Sequence, residues 1–323
     1  MESLDSLNKK LKTSSSVKQV VSTMKTLAAA NIKRYEKAAN SLFIFKKNIE
    51  LGLQGILSEI PQLSLLSKYF SSEESAKNVI IAFGSNSGLC GRFNDRVCEF
   101  LLNEFKNAKE KLENSDKKHT RDEFYLITVG VRLQMLLENK GFNSDKSINA
   151  PSSINYAVST VSELLETIDI IREESGIKRV FLFYTSYDNS EGNSVLKERL
   201  LPLDEEIFKK IKDKQWPTNN IPYWRTDTRE LVSDYLELHI FTSIYNALMN
   251  SLSSEQKNRL MTLQNAEKNI QDIIESTRKE YNQRRQTVIT SELIDVVTGF
   301  QVSKKKKALE NLNEILELEV CNK

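Results

Sequence analysis

From Leu231 to Thr298 the chain runs 68 residues with neither glycine nor proline. Only a helix, broken at most by gentle kinks, reads naturally over such a stretch. At 1.5 Å per residue it is roughly 100 Å long, several times the diameter of a small domain. A helix of that length cannot be buried inside one domain and needs a partner along its length. Its apolar positions step by threes and fours: Leu231, Tyr235, Leu238, then Tyr245, Met249, Leu252. After a phase slip the pattern resumes at Leu260, Leu263, Ile270, Ile274, Tyr281 and Val288. This is a heptad seam, which implies a left-handed supercoil with another helix.

The partner lies at the other end of the chain. Residues 1–51 also lack glycine and proline. Val17, Val21, Met24, Ala28, Asn31, Tyr35, Ala38, Leu42, Phe45 and Ile49 step 4-3-4-3, with Asn31 the single polar member. A polar residue in a seam fixes register at some cost in stability. Two terminal helices that can be satisfied only by each other predict an antiparallel coiled coil, with everything between them projecting as a separate body.

Between the helices the period changes. Gly52, Gly55 and Pro61 punctuate the end of the first helix, and Ser71–Ser75 reads as a linker. Val79–Phe83, Phe124–Val129 and Arg179–Tyr184 are short apolar runs rich in β-branched and aromatic residues, as buried strands are. Helices are expected from about Asp95 to Leu112, from Gly130 to Asn139 and from Asn155 to Glu173, with 185–225 irregular apart from one or two short elements. Strands alternating with helices predict an α/β body around a parallel sheet. The expected division is 1–60 for the first coiled-coil helix, 76–225 for the α/β domain, 226–300 for the second helix and 301–323 for a C-terminal extension.

No catalytic constellation stands out. The pattern G-x-x-x-x-G-K-[ST] does not occur. Gly84-Ser85-Asn86-Ser87-Gly88 follows a strand and precedes a helix, as a phosphate loop would, but carries no lysine. It reads as a tight turn that lets strand and helix pack closely. His119 falls in a charged loop and His239 on a helix, and neither has the neighbours that metal or acid–base chemistry needs. Cys90 sits where a helix begins, yet reads as a small buried apolar residue rather than a reactive thiol. No cofactor is expected. A net charge of +2 argues against a polyanion partner such as nucleic acid. Residues 1–50 carry ten Lys or Arg against four Asp or Glu, either a solvated face or a positive arm near an acidic partner. Three cysteines without a secretory signal suggest a reducing compartment. No apolar run approaches 18 residues, so membrane insertion is not expected.

Three motifs, in order along about residues 1–300, resemble one known family. Near the end of the long helix stand Ser254-Glu255-Gln256, Arg259-Leu260, Ala266, Asn269, the run Tyr281 to Leu293, and Val297-Thr298-Gly299. These resemble the C-terminal signature of the gamma subunit of F-type ATP synthase. Met24 to Ala30 resembles that family's Met-Lys-Met-Val-Ala-Ala-Ala run. Ser85 to Gly91 resembles its Ser-Asp-Arg-Gly-Leu-Cys-Gly loop, with Asn86 and Ser87 replacing an acidic and a basic residue. The resemblance implies a long antiparallel coiled coil of the N- and C-terminal helices with a small Rossmann-like α/β domain inserted between them. It implies a non-catalytic central-stalk rotor that couples ion flow to ATP synthesis or hydrolysis. The implied partners are the alpha and beta subunits, the epsilon subunit and the membrane c-ring. The implied place is peripheral, on the cytoplasmic face of the cell inner membrane. Carried over by position, Met24, Lys25, Arg259, Arg285, Gln286, Thr290 and Glu292 would contact the alpha/beta ring. Trp224 and Arg225 would lie at the foot, where the family's Tyr-Glu-Pro has become Trp-Arg-Thr. Gly88, Leu89, Cys90 and Gly91 would form a structural loop. A non-rotary coiled-coil scaffold with an α/β head, and a nucleotide-binding enzyme, are the competing readings.

The family usually stops near the position of Gly299, whereas this chain continues to Lys323. The continuation opens with Lys304 to Lys307, and Leu309, Leu312 and Leu316 then follow helical one-face spacing. A solvated tail and a functional extension of the shaft both remain open.

Overall fold

The structure is a computed structural model that describes residues 3–59, 77–113, 124–188, 192–203, 205–216, 220 and 223–321. The elements in chain order are α1 (Leu4–Glu59), β1 (Lys77–Phe83), α2 (Phe93–Glu113), β2 (Phe124–Val129), α3 (Val131–Asn139) and β3 (Lys146–Ile148). They continue with α4 (Ala157–Ser175), β4 (Ile177–Asp188), β5 (Gly192–Leu201), α5 (Glu205–Lys212) and α6 (Thr228–Cys321). Two compact units result. One comprises the chain up to Thr23 and from Gln264 onward, the other Met24–Leu263.

In the first unit the start of α1 pairs with α6. Leu7 and Val21 are buried on α1. On α6 the inward positions include Glu267, Ile270, Ile274, Thr277, Tyr281, Arg284 and Val288, with Ala266 and Gln271 half-buried beside them. The former step strictly by threes and fours, as a supercoiled pair requires. Lys18 Nζ donates to Gln271 Oε1 at 2.7 Å across the pair.

The seam on α1 corrects the sequence expectation in one half. Leu7, Val21, Ala28, Tyr35, Ile49 and Ile56 are buried, every member a multiple of seven. Of the second line, Val17, Met24 and Phe45 are 45%, 39% and 42% exposed, whereas Asn31 and Ala38 are half-buried. The line one residue further on, Leu4, Leu11, Lys18, Lys25, Ile32, Ala39 and Leu53, is half-buried or buried, with Lys46 its exposed member. Either line borders the multiples of seven on the helix surface, so the position of the partner helix decides between them. A lysine is tolerated there because its aliphatic stem covers the seam while its ammonium reaches a polar partner.

In the second unit the strands form a sheet in the order β3-β2-β1-β4-β5, parallel except for β5, which pairs antiparallel with β4. Alternate residues of β1 feed two cores. Val79, Ile81 and Phe83 join a core with α4, α1 and α6, to which α6 contributes Val232, Leu236, Ile244 and Leu248. Ile80 and Ala82 face α2 and α3 with Val97, Leu101, Leu133 and Leu137. The sheet and the paired helices of this unit therefore share one core. Contacts along α1 run backwards along α6: Glu36 meets Lys257 at 2.8 Å, and Gly52 lies against Tyr235. The pair is antiparallel.

Gly52 and Gly55 do not end α1, which continues to Glu59. A Cβ on Gly52 would stand 2.2 Å from the Tyr235 ring, so this glycine permits close helix approach. The region 185–225, expected to be irregular apart from one or two short elements, holds the end of β4, all of the ten-residue β5 and α5. β5 escaped notice because Lys197, Glu198 and Arg199 break its apolar pattern, as an edge strand allows. Three-residue β3 carries too few positions to show a period.

Gly84 joins β1 to the loop that follows, and a Cβ there would lie 2.4 Å from Leu133 Cβ. We expect Gly84→Ala to cost about 1–3 kcal/mol by overpacking, read as a lower denaturation midpoint. Gly299 meets nothing within 4 Å in mid-helix. Gly299→Ala is expected to gain about 0.5–1 kcal/mol locally, read as slower hydrogen exchange around residue 299.

Candidate functional site

Past the start of α1 the side chains of α6 become exposed. Arg284 is half-buried on the seam, whereas Arg285, Gln286, Thr290 and Glu292 are exposed. The Thr290 hydroxyl donates to the Gln286 carbonyl at 2.8 Å, a helix-internal bond that leaves its oxygen lone pairs open. Beside this polar row, Ile289, Leu293, Val296, Val297 and Phe300 are 44–71% exposed. Spacings of four, three, one and three place them on one face. From Ile289 to Lys307 every side chain is exposed. A contiguous apolar face flanked by hydrogen-bonding side chains marks a protein-docking surface.

A second exposed stripe runs along α1: Val17, Val20, Met24 and Leu27, at 45%, 56%, 39% and 59%. Met24 therefore lies beside the seam and is available to a partner. Lys25, its neighbour, is half-buried on the seam line.

Arg259 is engaged within the chain. Its Nη2 donates to Glu255 Oε1 at 2.6 Å, to Ser87 Oγ at 3.0 Å and to the Gly88 carbonyl at 3.4 Å. Glu255 is 5% exposed, and burial pushes its carboxyl up from the usual range while the Arg259 charge pulls it back. Burial and then the Glu255 charge raise the nearby Tyr35 hydroxyl. Arg259 thus fastens the loop of residues 84–91 to α6. The rest of the loop is fastened elsewhere. Asn86 Nδ2 donates to the Ala150 carbonyl at 2.7 Å, and its Oδ1 accepts from Ala150 N at 3.0 Å. Ser85 N donates to Asn94 Oδ1 at 2.9 Å. A Cβ on Gly91 would reach Thr262 Oγ1 at 2.9 Å, so the loop's end also abuts α6. Gly88 is exposed and Cys90 is buried, its thiol raised by burial.

The carboxyl end of the sheet is closed. In an open α/β sheet ligands bind beyond the strand ends where the strand order reverses, here between β1 and β4. Ser254 Oγ of α6 donates to the Thr185 carbonyl of β4 at 3.0 Å. Ser251 Oγ donates to the Phe83 carbonyl of β1 at 3.5 Å. Side chains of α6 stand where a nucleotide would. The sequence carried a signal for this that went unread. The phase slip after Leu252 is a buried polar run, Ser253 to Gln256, in which Ser254 bonds the sheet and Glu255 bonds the arginine that holds the loop.

At the other end of α6, Trp224 is partly buried against the core and its Nε1 donates to Thr228 Oγ1 at 3.3 Å, while Arg225 is exposed. His239 is held below its usual range by burial, and His119 lies outside the described residues. Among the described residues no group of three or more His, Cys, Asp or Glu side chains could hold a metal ion. Among them, too, no helix is long and apolar enough to cross a membrane.

A family model described as ATP synthase matches residues 3–302. The chain is 26% identical over 302 residues to the ATP synthase gamma chain of Clostridium kluyveri, covering 93% of this chain and 98% of that one. It is 26% identical over 304 residues to the ATP synthase gamma chain of Bacteroides fragilis, covering 93% and 99%. Its fold is similar to a chain in the cryo-EM structure of Euglena gracilis mitochondrial ATP synthase, OSCP/F1/c-ring, rotational state 3. That likeness has a TM-score of 0.59 at 15% identity and covers 94% of this chain and 95% of the other.

With the switch point filled by α6, the full chain is expected to show no micromolar binding of MgATP by isothermal titration. A saturable exotherm with a micromolar dissociation constant would overturn this reading of the crevice.

Proposed function

The chain belongs to the ATP synthase gamma family, and we infer from that membership and from its exposed surfaces how it works. It is the central-stalk rotor subunit of an F-type ATP synthase, part of an ATPase complex with alpha, beta and c-ring partners. We assign the chain itself no catalytic step; nucleotide chemistry belongs to the ring of alpha and beta subunits. Its own contribution is mechanical. A supercoiled pair of helices resists bending and twisting, and an asymmetric shaft contacts each ring subunit differently. A difference in contact free energy is what shifts otherwise equivalent sites among binding states.

The observation that carries the assignment of contacts is the exposed row Arg285, Gln286, Thr290 and Glu292 beside an unpartnered apolar face, inside the family match. A scaffold whose only task is to pair two helices does not require that row. Met24, on the exposed stripe of α1, joins it as a ring contact. Lys25 belongs to the same region, with its stem on the seam. Trp224 and Arg225 are assigned to the foot, on the side of the membrane rotor, and the epsilon subunit is assigned to the second unit. The chain works as a peripheral subunit on the cytoplasmic face of the inner membrane. The helix carries on through Cys321, beyond the family match, with Lys304 to Lys307 all exposed. The side chains of Leu309, Leu312 and Leu316 lie outside the described residues.

Arg285→Ala and Gln286→Leu are expected to lower ATP turnover of the assembled complex while assembly, which depends on the apolar seam, persists. Each removes hydrogen bonds worth about 0.5–3 kcal/mol at a contact that involves a charge. Parent-like turnover in both variants would remove these residues from the contact.

A further inference from the structure

Towards its end α6 carries two apolar groups, on opposite sides of the helix. Ile289, Leu293, Val296, Val297 and Phe300 form the exposed face beside the polar row. The seam that α6 shares with α1 runs through Ile274, Tyr281 and Val288 in steps of seven. The same steps from Val288 pass Asp295 and reach Val302, Leu309 and Leu316. The companion line from Thr277 and Arg284 passes Ser291, Thr298 and Lys305 and reaches Leu312. At about 100° per residue, Val302, Leu309, Leu312 and Leu316 stand roughly 160° round the helix from the first group.

A partner that covers the first group therefore leaves the second uncovered. The second group keeps the phase of a helix–helix seam, so what it takes is another helix. That helix is not α1. Lys18 faces Gln271 and α1 begins at Leu4, so in the antiparallel pair Leu4 is level with about residue 285. Yet α6 continues as a helix through Cys321. Helices in proteins are held mainly by tertiary packing of an amphipathic face, and this end of α6 has such a face in its sequence.

Charge selects the partner. Residues 304–307 are all lysine, and all are exposed. Residues 308–319 hold Glu310, Glu314, Glu317 and Glu319 and no Lys or Arg. Two copies of this segment running in the same direction would set lysines beside lysines and acids beside acids, with Lys305 of both copies on the shared seam. Reversed, they fit. The antiparallel register that sets Leu309 opposite Leu312 of the second copy also brings Lys304 level with its Glu317 and Lys307 level with its Glu314. Lys305 then falls opposite Leu316, a position where a lysine stem can cover an apolar side chain. Exposed charges act over a Debye length of about 10 Å at 0.1 M salt, enough for the two runs to feel each other across a helix pair.

We propose that residues 302–319 are a self-association element, through which two copies of this chain pair as an antiparallel coiled coil. The proposal goes beyond the rotor reading and does not depend on it. Its occupant is a second copy of the same segment.

Sedimentation equilibrium of the full chain is expected to show a reversible dimer, with a dissociation constant that rises at least tenfold when the chain is cut after Gln301. The cut leaves Ile289 to Phe300 in place, so a dimer that survives it is made by that face and overturns the proposal. A full chain that stays monomeric overturns it too, and leaves the segment to a helix of another protein. Two charge variants test the selection of partner. In one, Lys304→Glu, Lys305→Glu, Lys306→Glu and Lys307→Glu make the segment acidic throughout. In the other, Glu310→Lys, Glu314→Lys, Glu317→Lys and Glu319→Lys make it basic throughout. Each alone is expected to associate at least tenfold more weakly than the parent, and an equimolar mixture to regain the parent's affinity. A mixture as weak as its components would refute the pairing. Direction is read from a spin label on Cys321, since Cys90 and Cys98 are buried. Antiparallel copies hold the two labels roughly 30 Å apart, whereas parallel copies hold them within about 20 Å. The shorter distance would overturn the antiparallel register.

Discussion

A helix as long as α6 must bury one stripe of its surface at every turn, and the whole structure follows from what it finds to bury it against. Along its middle it meets α1 and the sheet together, and its apolar residues there lie on more than one face: Val232, Leu236, Ile240, Ile244, Leu248. Further on it meets α1 alone, and the stripe narrows to a strict three–four seam ending at Val288. From Ile289 to Lys307 every side chain of α6 is exposed. The apolar face does not stop there but continues through Leu293, Val296, Val297 and Phe300, exposed to water. The hydrophobic effect penalises such a face in an isolated chain. Its persistence is the physical reason to place a partner around this end.

Between the two regimes stands a polar stretch. Ser251, Ser253, Ser254, Glu255 and Gln256 are all buried on α6, where a simple supercoil would carry apolar side chains. Of these, Ser251 and Ser254 donate to backbone carbonyls of β1 and β4, and Glu255 accepts from Arg259. A buried ion pair is weak evidence for stability, since desolvation opposes the Coulomb attraction. Its value here is geometric. The carboxyl of Glu255, pushed up by burial, is kept in service by the Arg259 charge, and Arg259 reaches the loop of Ser87 and Gly88. Directional bonds define an orientation that nondirectional apolar packing between the same surfaces would leave loose. Two of the same residues, Ser251 and Ser254, also bond the strand ends at the sheet's switch point.

The long helices, their mutual dependence and the three apolar strands were legible without coordinates, because each is a local pattern repeated over many residues. Absence of glycine and proline over 68 positions admits one regular structure. So, too, the polar row after Tyr281 could be singled out by resemblance, since it is a continuous run. What the sequence could not decide were choices between neighbours of equal local merit. Met24 and Lys25 are both next to Ala28 on the helix surface, and only the position of α6 turns Lys25 inward and Met24 outward. Gly52 looked like a terminus until the Tyr235 ring was found against it. Arg259, marked for a partner, proved to be committed to Glu255 and a loop some 170 residues away in the chain. Leu89 looked ordinary, because a backbone angle leaves no trace in a residue's name. Periodicity is a property of one element and is written along it; facing, close approach and strain are properties of two elements in contact, and exist only once tertiary packing has brought them together.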